Sequence, residues 1–147
     1  MSKSSGVIAP RSEAEAFFKA NPGVDSIEMI YTDFGGVPRG KRLRQHEVLA
    51  VYESGRMFPG SITVVDITGQ DTVETGLVWE DGDADRSMKP IPGTLVRTPW
   101  GGDHAAQFLV DFYELDGTPH DLDPRHVLGG VIDRFTADGL TPVLAVE

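Results

Sequence analysis

From Met57 to Asp85 the chain holds no Lys or Arg, yet Asp66, Asp71, Glu74, Glu80, Asp81, Asp83 and Asp85 all fall there, with Arg56 and Arg86 at the two ends. Carboxylates crowded on a turn-rich segment repel one another, so it lies down only against cations, a metal or a basic neighbour. Any fold for this chain has to supply that compensation. The densest part, Glu80-Asp81-Gly82-Asp83-Ala84-Asp85-Arg86, passes into Pro90-Ile91-Pro92-Gly93-Thr94-Leu95, a rigid, extended entry to an apolar strand.

A length of 147 residues suits one domain able to bury a sizeable core. Its 17 glycines and 10 prolines favour turns and short strands over a helical bundle. With no cysteine there is neither a disulfide framework nor a cysteine-ligated zinc site. The opening residues lack the apolar run of a secretory signal and no later run suits a membrane span, so a cytoplasmic protein is expected. A net charge of −10 argues against nucleic acid as a partner, and the cluster Arg39, Lys41, Arg42 and Arg44 is too short to reverse that.

Pattern reading gives an α+β domain. Residues 1–11 read as a loose tail. Ser12-Glu13-Ala14-Glu15 reads as a capping box opening a short helix, with Phe17 and Phe18 on its apolar side and Asn21-Pro22-Gly23 as its stop. Ile27, Met29 and Tyr31 alternate with Glu28, Ile30 and Thr32 through a strand over 24–34, and Gly35-Gly36 turns the chain into a second strand over 37–43. A helix follows over 45–53, with Val48, Leu49 and Tyr52 on one side and Gly55 as its stop. Residues 62–67 are a strand candidate, the acidic segment a loop, and 94–97 and 105–114 further strands. Leu115-Asp116-Gly117-Thr118 is a turn. Asp123-Pro124 caps the best-marked helix, which carries Val127, Leu128, Val131, Ile132 and Phe135 and ends at Gly139. Residues 140–147 are expected as a final strand. The whole is compatible with a β-grasp-like mixed sheet, among other small α+β topologies.

Local motifs stop short of chemistry. Gly35 to Lys41 meets the spacing of a phosphate loop, but Arg42 stands where a hydroxyl would hold magnesium and Pro38 removes a backbone donor. A Gly-Gly hairpin with a basic second strand accounts for it better. Asp81, Asp83 and Asp85 alternate as in a calcium loop, yet Arg86 replaces its turn glycine and Pro92 its bidentate glutamate. His46, His104, His120 and His126 lack ligand spacing and are expected at the surface or in packing. Ser61 lacks the setting of a nucleophile elbow, and Trp79 and Trp100 are expected as packing anchors.

In order, longer stretches resemble the N-terminal domain of the glutamine synthetase family, especially its γ-glutamylpolyamine synthetase-like branch. The landmarks are Tyr31-Thr32-Asp33-Phe34-Gly35-Gly36 with Arg39-Gly40-Lys41; Gly55-Arg56-Met57-Phe58; Gly60-Ser61-Ile62; Asp66-Ile67-Thr68-Gly69; and Gly82-Asp83-Ala84-Asp85. Pro90 to Leu95, Asp116-Gly117-Thr118-Pro119, Asp123-Pro124-Arg125-His126 and Gly139 to Glu147 follow, so the resemblance covers about Val24 to Glu147.

The resemblance implies a tail and short helix at 1–23, a β-grasp domain at 24–122, and a helix and strand at 123–147 leading into an absent catalytic domain. It implies a ligase of nitrogen metabolism that uses ATP and Mg2+ or Mn2+ to phosphorylate the γ-carboxylate of glutamate, after which an amine or ammonia displaces phosphate. Its subunits are expected to form a homo-oligomeric ring in which this domain's loop edge, with Asp83 and Asp85, completes a neighbour's active site. Glu147 matches the first glutamate of the family's metal-binding Glu-x-Glu strand. Where typical members carry Phe-Asp-Gly-Ser, whose aspartate helps bind ammonium, this chain has Phe58-Pro59-Gly60-Ser61, which favours a bulkier amine. The 147-residue chain alone is expected to be inactive. The rival expectation is a stand-alone, non-enzymatic β-grasp module binding a partner through the acidic loop, and a third is a loop that binds a divalent ion by itself.

Overall fold

The computed structural model describes residues 7–145. β1 (Ser26–Thr32) and β2 (Pro38–Leu43) form the expected hairpin, paired from Ile27 with Leu43 to Thr32 with Pro38. β6 (Ala105–Tyr113) lies parallel to β1 and is the spine of a mixed sheet of order β2-β1-β6-β4-β3, where β3 is Arg56–Pro59 and β4 is Asp85–Pro90. The short β5 (Val96–Arg97) pairs with Gln107 and Ala106. A hairpin, a covering helix and a return strand parallel to the first make the arrangement β-grasp-like.

Alternation along β6 divides the sheet into two faces. Ala106, Phe108, Val110 and Phe112 point one way, beside Ile27 and Met29 of β1 and Met88 of β4. α1 (Arg11–Ala20) and α2 (Gln45–Ser54) cover this face with Ala14, Phe18, Val48, Val51 and Tyr52. Tyr52 meets Phe108 at a centroid distance of 5.5 Å and Tyr31 meets Phe112 edge-on at 5.3 Å. Each such buried aromatic is worth about 2–3 kcal/mol of apolar burial. α3 (Pro124–Ala137) is capped as expected: Asp123 Oδ1 accepts from the backbone N–H groups of Arg125 and His126, while its Oδ2 accepts from Phe112 N on β6 at 2.8 Å. One side chain thus closes the helix and ties it to the sheet.

Several expectations give way. α1 starts at Arg11 behind an extended Pro10, with no side-chain cap from Ser12; Arg11 instead pairs with Glu15 and Glu53. Ala9 is buried and donates its N–H to Pro90 O, so the stretch just before α1 is part of the fold and not a tail. Residues 62–67 form no strand: a 3-10 turn at Gly60–Thr63 is closed by Thr63 Oγ1 on Gly60 O at 2.8 Å, and a loop follows. The sheet edge is taken by β3, and the acidic segment gives up Asp85 to β4, neither strand being expected. Residues 140–145 run without strand pairing. Trp79 and Trp100 are each 78% exposed, no packing anchors at all.

Gly40 explains one motif. A Cβ there would sit 1.8 Å from Met29 O, so the glycine lets β2 lie against β1 at all. Gly40→Ala is expected to lower stability by about 3 kcal/mol, read as a lower urea midpoint; an unchanged midpoint would show that the hairpin backbone shifts freely.

Candidate functional site

The acidic segment is fastened by two arginines. Arg39, on β2, donates from Nε to Asp33 Oδ2 at 2.5 Å and from Nη2 to the Asp66 carbonyl at 2.7 Å. Asp33 is 1% exposed, and its Oδ1 accepts from Val37 N at 2.8 Å. Burial alone would push the Asp33 carboxyl up, but Arg39 and the backbone N–H groups of Val37 and Gly35 outweigh it and hold it below the usual carboxylate range. Phe34 N donates to Thr63 O at 2.9 Å, so the hairpin tip and the start of the acidic segment form one unit. Asp66 folds its own loop: Oδ1 accepts from Thr68 N, Thr68 Oγ1 and Gln70 N, which hold its carboxyl low.

Arg86 fastens the other end. Its Nη1 donates to Ala84 O at 2.7 Å, its Nη2 to Asp81 at 3.1 Å, and its Nε lies 2.8 Å from Glu114 Oε2. Glu114 Oε1 in turn meets His120 Nδ1 at 2.6 Å. The compensation that the sequence required therefore comes from Arg39 and Arg86, together with Asp66's own turn.

Asp83 and Asp85 lie where the loop enters β4. Asp83 has a left-handed backbone, φ 53, with its N–H on Leu77 O and its Oδ1 buried without a hydrogen-bond partner. Asp85 is exposed and lies directly across the β3–β4 ladder from Pro59. Among the described residues, Asp71, Glu74, Glu80 and Asp85 make no ion pair, so the outward charge of the loop stays negative. Glu147 lies outside the described residues. No group of three His, Asp or Glu side chains able to hold a metal occurs among the described residues, and Gly35 to Lys41 is a hairpin, not a phosphate cradle. The described residues do not fit ATP or a divalent ion. Sequence reading missed Asp33, Arg39 and Arg86 as partners, because only the hairpin register and the β4–β6 pairing bring them to their acceptors.

No family model matches the chain. Individual proteins do. The chain is 33% identical over 135 residues to the gamma-glutamylputrescine synthetase PuuA of Escherichia coli (strain K12), a match over 92% of this chain and 28% of that protein. The glutamine synthetase of Pyrococcus abyssi is 29% identical over 121 residues, 82% of this chain and 24% of its own length. A solved GmaS complex with ADP superposes with a TM-score of 0.62 at 22% identity, over 86% of this chain and 26% of that one, a likeness of fold. Over 92% and 82% of its length the chain is similar to these members of the glutamine synthetase family. It spans about a quarter of the length of the curated relatives it matches.

Arg39→Ala would leave Asp33 charged, buried and unpaired. A loss of about 3 kcal/mol is expected in urea denaturation at neutral pH. Because the folded pKa of Asp33 is lowered, its contribution is present above the ordinary carboxylate pKa and lost as pH falls through the folded value. Asp33→Asn should therefore lose less stability relative to wild type in acid than at neutral pH; an equal difference at both would refute the ion-pair account.

Proposed function

We propose that this chain is the N-terminal part of a cytoplasmic, ATP-dependent ligase that joins the γ-carboxylate of glutamate to an amine through a γ-glutamyl phosphate. The match to gamma-glutamylputrescine synthetase over 92% of the chain carries this reading. On it, residues 24–122 are the β-grasp domain, 123–147 lead into a catalytic part that holds ATP and Mg2+ or Mn2+, and the acidic loop edge completes the site of a neighbouring subunit in a ring.

The chemistry asked of the loop is modest and suits it. An amine arrives as an ammonium, and exposed carboxylates on a firmly held loop attract it and can hold its proton. Pro59 offers no charge at the position where the resemblance implies an ammonium-binding aspartate. Its cross-strand partner Asp85 puts an exposed carboxylate beside that position, with cross-strand side chains about 5 Å apart at Cβ. This favours an organic amine over ammonia. On α3, Val127, Leu128, Ile132 and Phe135 are 38–50% exposed, and on this reading the catalytic part covers them.

In a protein continuing beyond Glu147, Asp85→Ala and Asp83→Asn, which keeps a side chain that tolerates the left-handed backbone, are expected to raise KM for the amine about tenfold, the size of one charge-assisted hydrogen bond, with Tm unchanged. Unchanged kinetics would remove both residues from the site. The 147-residue chain alone is expected to release no phosphate from ATP with glutamate and amine, and to self-associate in sedimentation. A strictly monomeric, inactive chain would instead favour the stand-alone module.

A further inference from the structure

The face of the sheet opposite the core holds a buried acid and a buried imidazole that leave each other unsatisfied. Asp111 sits between the core residues Val110 and Phe112 on β6, so its side chain leaves the core face and meets the start of α3. It is 8% exposed. Its Oδ2 lies 3.8 Å from His126 Nε2, too far for a hydrogen bond. Asp111 Oδ1 and His126 Nε2 are both buried without a hydrogen-bond partner.

The charged and titratable surroundings come from every neighbouring element. Lys89 on β4 is cross-strand to Asp111, with its Nζ 5.8 Å from the Tyr113 ring centre. Tyr113 on β6 meets the His126 ring edge-on at 5.0 Å. Arg125 Nε lies 3.5 Å from Asp111 Oδ1, a distance at which it offsets charge without satisfying the oxygen. Asp123 holds the cap, Asp121 borders the groove beside His126, and His120, itself on Glu114, turns its carbonyl to His126 Nδ1 at 3.4 Å. That carbonyl assigns the ring hydrogen to Nδ1, which leaves the Nε2 lone pair facing a carboxylate. Only a proton placed between them turns this contact into a bond.

We propose that Asp111 and His126 form a proton latch: one proton taken from solvent and shared between Asp111 Oδ2 and His126 Nε2 draws the first turns of α3 onto β6, and its loss releases them. No residue of α3 is fully buried, so the contacts at its start, this pair and the Asp123 cap among them, carry much of its hold on the sheet. Burial and Asp123 push the Asp111 carboxyl up to about 6, against His126 and Arg125. An acid raised in this way contributes most when protonated, and that contribution is lost as pH rises through the folded value.

Amide hydrogen exchange on the 147-residue chain tests the latch, with residues 127–131 compared with Phe108 in the middle of β6 as the global reference. From about pH 8 to about pH 5, protection over 127–131 is expected to rise about tenfold relative to β6, the size of one net hydrogen bond. Asp111→Asn, whose amide donates to Nε2 at any pH, should be protected and flat; His126→Ala should be flat and low. A rise that persists in Asp111→Asn, or α3 amides that follow β6 at every pH in wild type, would overturn the proposal. The 15N shift of His126 Nε2 in the unmutated chain gives an independent reading: it should move with α3 protection, and titration of the ring without that change would also overturn it.

Discussion

Arg39 supplies the side-chain cation that ties the hairpin tip to the acidic segment. Its guanidinium lies between the buried carboxylate of Asp33 and the carbonyl of Asp66, so the hairpin tip and the acidic segment share one cation. Neither contact would persist alone. A carboxylate 1% exposed could not stay ionised without a hydrogen-bonded partner, and a segment so poor in cations would drift from the sheet without a donor to receive it. The arginine is delivered to this point by β2, and β2 lies against β1 only because Gly40 has no Cβ to meet Met29 O. Hairpin register, glycine and ion pair are one device.

With Arg39 at one end and Arg86 at the other, the loop between is fixed without being neutralised. Asp66 spends its carboxylate on its own turn and Asp81 meets Arg86, whereas Asp71, Glu74, Glu80 and Asp85 face outward. Surface carboxylates of this kind contribute little to stability. Their effect is a local negative potential on a loop that cannot collapse onto its own counter-ions. This is the physical property a recognition edge for cationic amines requires, and it is why the anchoring arginines matter as much to the functional reading as the carboxylates do.

The legible parts of the sequence are those in which local pattern and tertiary structure agree. Ile27, Met29 and Tyr31 alternate because one face of β1 is core, and Gly35-Gly36 marks the turn; Asp123-Pro124 opens α3 with a cap that the structure forms. β3 and β4 were hidden for the same reason in reverse. Arg56, Asp85, Arg86, Lys89 and two prolines give them no apolar alternation, and their pairing is set by β6 rather than by propensity. The run Ile62-Thr63-Val64-Val65 looks like a strand, but Pro59 ends the ladder and the Thr63 hydroxyl closes a turn before it could continue. At the site, the carboxylates were legible from composition and their arginines were not, because an ion pair between Arg39 and Asp33 or Arg86 and Glu114 is a fact of register.

α3 shows the limit of treating these residues as a closed unit. Its sequence has a full apolar stripe, its N-terminus is capped and tied to β6 by Asp123, and yet Val127, Leu128, Ile132 and Phe135 remain 38–50% exposed. A surface helix of a finished domain turns such a stripe inward. Here the sheet's core face is already covered by α1 and α2, and α3 meets the opposite face through its first turn. On the proposed reading the stripe answers to the catalytic part rather than to this sheet. In relatives more than three times as long, sharing this portion at 33% and 29% identity, a large body of further chain is available to meet such a stripe. On that reading, anchoring at one end and apolar exposure along the rest make α3 the element through which changes at the sheet would reach the covering part.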